Sequence, residues 1–397
     1  MSYEKPFAGL KVLDMSQGYA GPYCAGLLAQ YGAEVTKVEP PEGDWARGLG
    51  RVYGDQSTIS LAANRGKKSI VLDLKSAGGL AVAHDLAARC DVFMEGFRPG
   101  VCARFGLAYD DLRQVNPGVI YLAVSGFGHD GPYAREASTD TVAQAFSGLM
   151  SINRGNDDIP HRVGHFIVDC VTALYAYQAL CTALYARRDE PAGRFIDCSL
   201  MQAAAAVQTS KIADFHLEDG APVANNAPAG CYDTQNGFIA ITLVKEEQFG
   251  QMCLALDQPA LADDPRYLDF ANRAGNMDSL GPIIQKILLQ RPAVEWAAHF
   301  QEAGVLAHPV ADFGDWMADP HVVATQAFQM IAQQGVGPMP VAQIPGAAAI
   351  DPDDPSQQAP YLGQHSRQVL GDLGYDEAKI TGLVAEGAVR LGTLKEG

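Results

Sequence analysis

Three features of this sequence predict an α/β fold with a doubly wound, mostly parallel sheet. Short apolar runs of strand character recur through the first 125 residues, helical segments separate them, and glycine or proline closes most of the runs. Strands joined by helices of that length are parallel, because an antiparallel neighbour needs only a short turn. In chain order, "KVLDM" (Lys11–Met15) is a buried strand. It is followed by the turn "SQGYAGP" and a helix over Tyr23–Tyr31, with Pro22 as its first residue. "EVTKVEP" (Glu34–Pro40) is a second strand stopped by Pro40-Pro41, and "KSIVLDL" (Lys68–Leu74) is a third. "AGGLAVAHDLAARC" (Ala77–Cys90) is a helix and "DVFMEGF" (Asp91–Phe97) the fourth strand. "DDLRQVNP" (Asp110–Pro117) is a short helix, and "VIYLAVSGFG" (Val119–Gly128) closes the series.

Beyond residue 139 the chain turns to Ala-rich helices with one strand-like break at "GRFIDCSL". From Asn225 the pattern changes, with a hairpin turning at Asn236-Gly237 and leading into helices and polar loops. The expected division is a large Rossmann-like domain over residues 1–215, a smaller α+β domain over 225–320, and a segment, 321–397, that returns to the large domain. "AGVLAHPVADF" (Ala303–Phe313) is a candidate for that return, and Gly- and Pro-rich loops with two short helices complete the tail.

A formal charge of −17 argues against nucleic acid or an anionic membrane as the main partner. An anionic ligand then needs locally clustered Lys and Arg. Without an uncharged apolar span of 18 residues, no membrane-spanning helix is expected. Eight cysteines occur with no CxxC pair and no zinc spacing, which fits reduced, mostly buried thiols in a cytosolic protein and no bound metal. Cys170 reads as one of these buried thiols.

Two places hold the chemistry. The first turn carries Gly18, Gly21 and Gly26, a spacing through which no GxGxxG dinucleotide fingerprint can be written, so NAD is not expected. Its helix start can hold an anion or a thioester carbonyl, or the turn is simply tight and needs small residues. The second place is Asp169 in "RVGHFIVDCVTALYAYQAL", followed by a long uncharged run. A lone carboxylate there is either the cap of the helix that begins near Val171 or a nucleophile.

Segments in order along most of the chain resemble the class III coenzyme A transferases, the CaiB–BaiF type that includes formyl-CoA transferase. These are "GLKVLDMSQGYAGPYCAGLLAQYGAEVTKVEPPEGD", "NRGKKSIVLDLKSAGG", "DVFMEGFRPG", "VIYLAVSGFGHDGPY", "TDTVAQAFSGLM", "VGHFIVDCVTALYA" and "GRFIDCSLMQAA". The resemblance implies a CoA-transferase in the cytoplasm with no permanent cofactor, acting on an acyl-CoA and a free carboxylic acid, and assembled as an interlocked homodimer. It places the nucleophile on Asp169 and an acid near it on Asp140. Gly18 and Tyr19 approach the thioester, Tyr19 standing where formyl-CoA transferase has glutamine. For CoA it points to Leu72, Asp73, Lys75, Phe97, Arg98 and Arg104, with the basic residues suited to phosphate. Arg47, Arg162 and His165 are candidates to receive a second carboxylate, which suggests succinyl-CoA as donor and a dicarboxylic acceptor. The alternative within the resemblance is an α-methylacyl-CoA racemase, but the histidine that would precede Asp140 is Thr139 here; His129 and His165 lie nearby.

Overall fold

The computed structural model describes residues 5–154, 159–220 and 226–395. It divides into two compact units, one formed by residues 1–209 with 326–397 and the other by 210–325.

In the first unit six strands lie parallel: β1 (Lys11–Met15), β2 (Glu34–Glu39), β3 (Lys68–Leu72), β4 (Val92–Glu95), β5 (Ile120–Ser125) and β6 (Arg194–Ser199). Their spatial order is 3-2-1-4-5-6, so the winding reverses between β1 and β4. Open sheets of this kind bind ligands at that reversal, outside the carboxyl ends of the strands. The alternating strands and helices of the sequence are thus borne out as a doubly wound sheet. The strands are buried on both faces: Val12, Val35, Val92 and Ile120 point into one layer, Leu13, Ile70, Phe93 and Tyr121 into the other.

Helix α1 (Ala20–Gln30) follows β1. It starts before Pro22, which is its third residue rather than its first. The substitution is harmless there because a first-turn N–H has no partner inside the helix. Gly21 is required for a packing reason: a Cβ would stand 2.5 Å from the Ser16 side chain. Helix α2 (Ala77–Ala87) joins β3 to β4, capped by Ser76 on Gly79 N–H. Between β5 and β6 run α3 (Asp140–Phe146) and the long α4 (Ile167–Ala186). By length and composition alone α4 passes for a membrane span. Here it is the crossover helix of a parallel pair and packs on α1, which is what its apolar length serves.

The second unit holds a three-stranded antiparallel sheet of Gly230–Asp233, Phe238–Thr242 and Leu306–Pro309. Its hairpin turns at Asn236-Gly237 as the sequence indicates, Gly237 taking a φ of 89°. Asn225, where the change of character was expected, lies outside the described residues. Leu306–Pro309 does not return the chain to the first unit; pairing of Ile241 with Ala307 makes it the third strand of this small sheet. In the C-terminal tail, the stretch read as loops contains a second hairpin, Phe328–Gln333 on Gly337–Ala342. After the two short helices, Val389–Arg390 adds an antiparallel edge to β3. All eight cysteines are free, but only four are buried and Cys231 is exposed.

A buried ionic network holds the carboxyl ends of the first strands. Lys67 Nζ lies 2.8 Å from Asp14 Oδ2 and donates to Pro22 O and Asn64 Oδ1. Lys37 Nζ bridges Asp44 Oδ2 at 2.8 Å and Ser16 O at 2.9 Å. Arg47 grips Glu39 through Nε and an NH2 contact at 2.6 and 2.8 Å, and Ser69 Oγ donates to the same carboxylate. Burial raises the Asp14 carboxyl pKa, but the Lys67 and Lys37 ammoniums outweigh it and hold the group below the ordinary range. Burial works the same way on Glu39, which the Arg47 guanidinium brings down to about 2.

Removing one partner leaves an uncompensated buried charge. Lys67→Met is therefore expected to cost about 3–5 kcal/mol in denaturant unfolding, with Asp14→Asn in the same chain recovering much of the loss. The Glu39 carboxyl is lower in the folded chain, at about 2 against an ordinary 4.5, so its contribution is complete above pH 4.5 and disappears as pH falls toward 2.

Candidate active site

Asp169 is the third residue of α4, and it does not cap that helix. The residue before the helix is Phe166, which has no capping side chain. The first-turn N–H groups are taken instead by Asp140, from a different helix. Its Oδ1 accepts from Val168 N at 2.7 Å and from Asp169 N at 3.2 Å. Asp140 is itself 2% exposed and fixed by Gln144, whose Nε2 donates to Oδ2 at 2.6 Å while its Oε1 accepts from Val163 N. The choice between cap and free carboxylate is thereby settled by geometry: Asp140 does the capping, and the Asp169 side chain is left for other work. Burial, and then the Asp140 charge, push the Asp169 carboxyl up to about 7. The helix-start N–H groups do not hold it ionised, because those donors face Asp140.

Around Asp169 stands an aromatic wall built on Tyr19. Its ring stacks on Tyr23 at 5.3 Å, meets His165 edge-on at 6.3 Å and lies tilted on Phe166 at 6.0 Å. Burial raises the Tyr19 phenol, so it stays a neutral hydrogen-bond donor. Cys170 is not an isolated core thiol. Its Sγ lies 3.5 Å from His165 Nε2 and is hydrogen-bonded to the Tyr19 hydroxyl. No sequence spacing signals this contact, which arises from the bend between His165 and the first turn of α4. Burial pushes the thiol up to about 11, so Cys170 is overwhelmingly protonated beside Asp169.

The turn after β1 joins this corner to a second one. Gly18 adopts a φ of +83° and a Cβ there would meet Trp45 at 2.4 Å. Its N–H donates to Asp44 Oδ1 at 3.0 Å, so it clamps the turn rather than facing outward as a free donor. One residue earlier, Gln17 lines a cavity of about 290 Å³ together with Leu72, Asp73, Lys75 and Phe97. The structure thus brings four of the sequence-derived CoA residues into one cavity, at the carboxyl ends of β1 to β4. Arg98 and Arg104 do not line it; both are exposed, on the loop and short helix that follow Phe97. Arg47 is not available to a substrate carboxylate, since it is 6% exposed and paired with Glu39. Arg162 and His165 are exposed. Thr139 precedes α3 without a capping side-chain bond.

Residues 7–366 match the family described as CoA-transferase family III. The human succinyl-CoA:glutarate CoA-transferase is 33% identical over 401 residues, covering 98% of this chain and 91% of that protein. An acetyl-CoA:oxalate CoA-transferase of Acetobacter aceti is also 33% identical, over 94% of this chain and 97% of its own length. Among solved structures, a CAIB/BAIF family protein from Brucella suis superposes with a TM-score of 0.80 at 30% identity, covering 93% of this chain and all of that one. The match runs through the parallel sheet, the turn after β1 and the α4 start alike, and the chain belongs to CoA-transferase family III.

Proposed function

We propose that this CoA-transferase moves CoA from a dicarboxylyl-CoA such as succinyl-CoA to a free dicarboxylic acid, through covalent intermediates on Asp169. The observation that carries the proposal is the division of labour between two carboxylates. Asp140 consumes the helix-start N–H groups, which leaves the Asp169 carboxylate partly buried and without a capping role. Several relatives with full-length similarity carry names that pair succinyl-CoA with a second acid, glutarate or citramalate.

In the first step an Asp169 carboxylate oxygen attacks the donor thioester carbon. The C–S bond breaks, CoA leaves as thiolate, and an aspartyl–acyl anhydride remains. The thiolate then attacks the aspartyl carbonyl, releasing the donor acid as carboxylate and leaving an aspartyl-CoA thioester. The acceptor carboxylate attacks that thioester to give a second anhydride and thiolate. Attack of the thiolate on the acceptor's acyl carbon yields the new acyl-CoA and restores Asp169. The chain's own side chains serve this sequence in three ways. The raised Asp169 carboxyl makes a more basic nucleophile than an exposed aspartate. Tyr19, Phe166 and His165 pack around it and restrict water, which anhydrides require. Finally, protonation of Cys170 keeps a neighbouring thiol from attacking the aspartyl carbonyl in place of CoA. His165 and Arg162, exposed beside α4, are the groups suited to the far carboxylate of the acceptor.

Brief incubation with succinyl-CoA, followed by peptide mass spectrometry, should place a CoA-sized adduct on the peptide that contains Asp169. Asp169→Ala should lack the adduct and lose about a thousandfold or more in transfer rate; full transfer by that variant would end the proposal. Activity should rise with pH through about 7, as Asp169 ionises. Asp140→Asn keeps an acceptor for the helix N–H groups but removes a negative charge. It should shift the acid limb of the pH profile downward by about one unit or less, burial remaining the larger cause.

A further inference from the structure

Helix α3 places a second polar side chain one turn beyond Asp140. Gln144 has no exposure, and four residues after Asp140 it lies on the same face of the helix. Its amide has three partners. Nε2 donates to Asp140 Oδ2 at 2.6 Å and, over a longer 3.5 Å, to His165 O, while Oε1 accepts from Val163 N at 2.9 Å. A planar amide offers one acceptor oxygen and two donor N–H groups, so these partners fix which way it points. Reversed, it would set its oxygen against a carboxylate and a carbonyl and its nitrogen against the Val163 N–H.

Val163 and His165 flank Gly164 in a stretch, residues 161–166, that has neither helix nor strand. Arg162, Gly164 and His165 are exposed there, and a Cβ on Gly164 would meet nothing within 4 Å. Packing therefore does little to hold the backbone at Gly164. The Gln144 amide bonds it on both sides instead, as a neighbouring strand would. One buried side chain thus ties together the carboxylate that caps α4 and the backbone that carries Arg162 and His165.

We propose that Gln144 is a positioning residue for the acceptor acid. By clamping the backbone at Val163 and His165 it holds Arg162 and His165 in fixed relation to Asp169, and so gives the enzyme its preference for a dicarboxylic over a monocarboxylic acceptor. A loop free of the clamp would have to be ordered each time the far carboxylate binds, which weakens that contact. The near carboxylate, which reacts at Asp169, does not depend on it. The inference rests on the reading of Arg162 and His165 as the groups that receive the far carboxylate.

The test is a competition. The full-length enzyme and succinyl-CoA are given equal concentrations of glutarate and pentanoate, acids of equal chain length, and the first products are separated by chromatography. Both acceptors draw on the same aspartyl-CoA thioester, so a change in the rate of its formation cancels in the product ratio. The parent should favour glutaryl-CoA. Gln144→Met keeps the length of the side chain but loses all three bonds, and it should lower the ratio about five- to tenfold, the size of one weakened contact to a charged group. Arg162→Met combined with His165→Asn should lower it at least as far. Adding Gln144→Met to that pair should lower it no further, because groups that act through one another are not additive. Gln144→Glu keeps an oxygen for the Val163 N–H and should retain more of the preference than Gln144→Met. Val163→Pro deletes the same bond from the loop side and leaves Gln144 and Asp140 intact. It should match Gln144→Met, and it is the variant to read if Gln144→Met does not fold. An unchanged ratio in Gln144→Met or Val163→Pro, or a fall in Gln144→Met that adds in full to that of the pair, would overturn the clamp and leave the acceptor reading standing. A parent without preference for glutarate, or an unchanged ratio in the Arg162 and His165 pair, would overturn that reading and the clamp with it.

Discussion

Two lysine side chains with no exposure at all, Lys37 and Lys67, stand beneath the turn after the first strand, and the geometry above them depends on their pairing. Ammoniums in such a place are tolerated only because each has a carboxylate within 2.8 Å and further oxygen acceptors around it. The return for that cost is position. Lys37 holds the Ser16 carbonyl, Asp44 holds the Gly18 N–H, and Trp45 fills the space that any side chain at Gly18 would need. The three residues Gln17, Gly18 and Tyr19 are thereby fixed, with Gln17 on the cavity and Tyr19 against the start of α4. A turn made only of small residues would leave those two corners free to drift apart.

The second organising feature is the exchange of roles between Asp140 and Asp169. Both are acids near one helix start, a place that favours negative charge. Because Asp140 reaches in from α3 and takes the N–H groups, the favourable field is spent on it. Asp169 is left with burial and a like charge, which together raise it. Neighbouring carboxylates in unlike surroundings acquire unlike chemistry. Cys170 shows the complementary effect, since the same burial that makes a carboxylate more basic leaves a thiol protonated and quiet.

What the sequence determined by itself was the order and type of the elements in the first 125 residues. The first strands and helices are written in local patterns, an apolar run closed by glycine or proline and a helix of ten or so residues, and five of the six parallel strands follow from their alternation. The resemblance of many short segments pointed to Leu72, Asp73, Lys75 and Phe97, and these line one cavity because residues at strand ends in such a sheet converge on one edge.

Other features depend on contacts between residues far apart in the chain, and these only the tertiary structure decided. Arg47 looks available in sequence and is buried against Glu39 in space. Cys170 looks like a core thiol and lies beside His165 and Tyr19. The strand Leu306–Pro309 looks like a connection and closes a small sheet. Above all, an aspartate at a helix start reads first as a cap from local sequence, and only the family resemblance turns that reading toward a nucleophile, until the competing acceptor is seen. That acceptor lies 29 residues earlier, and its hydrogen bonds to Val168 and Asp169 leave no trace in local sequence. A capping preference is a property of one turn, whereas the freedom of Asp169 comes from which side chain the fold brings to that turn first.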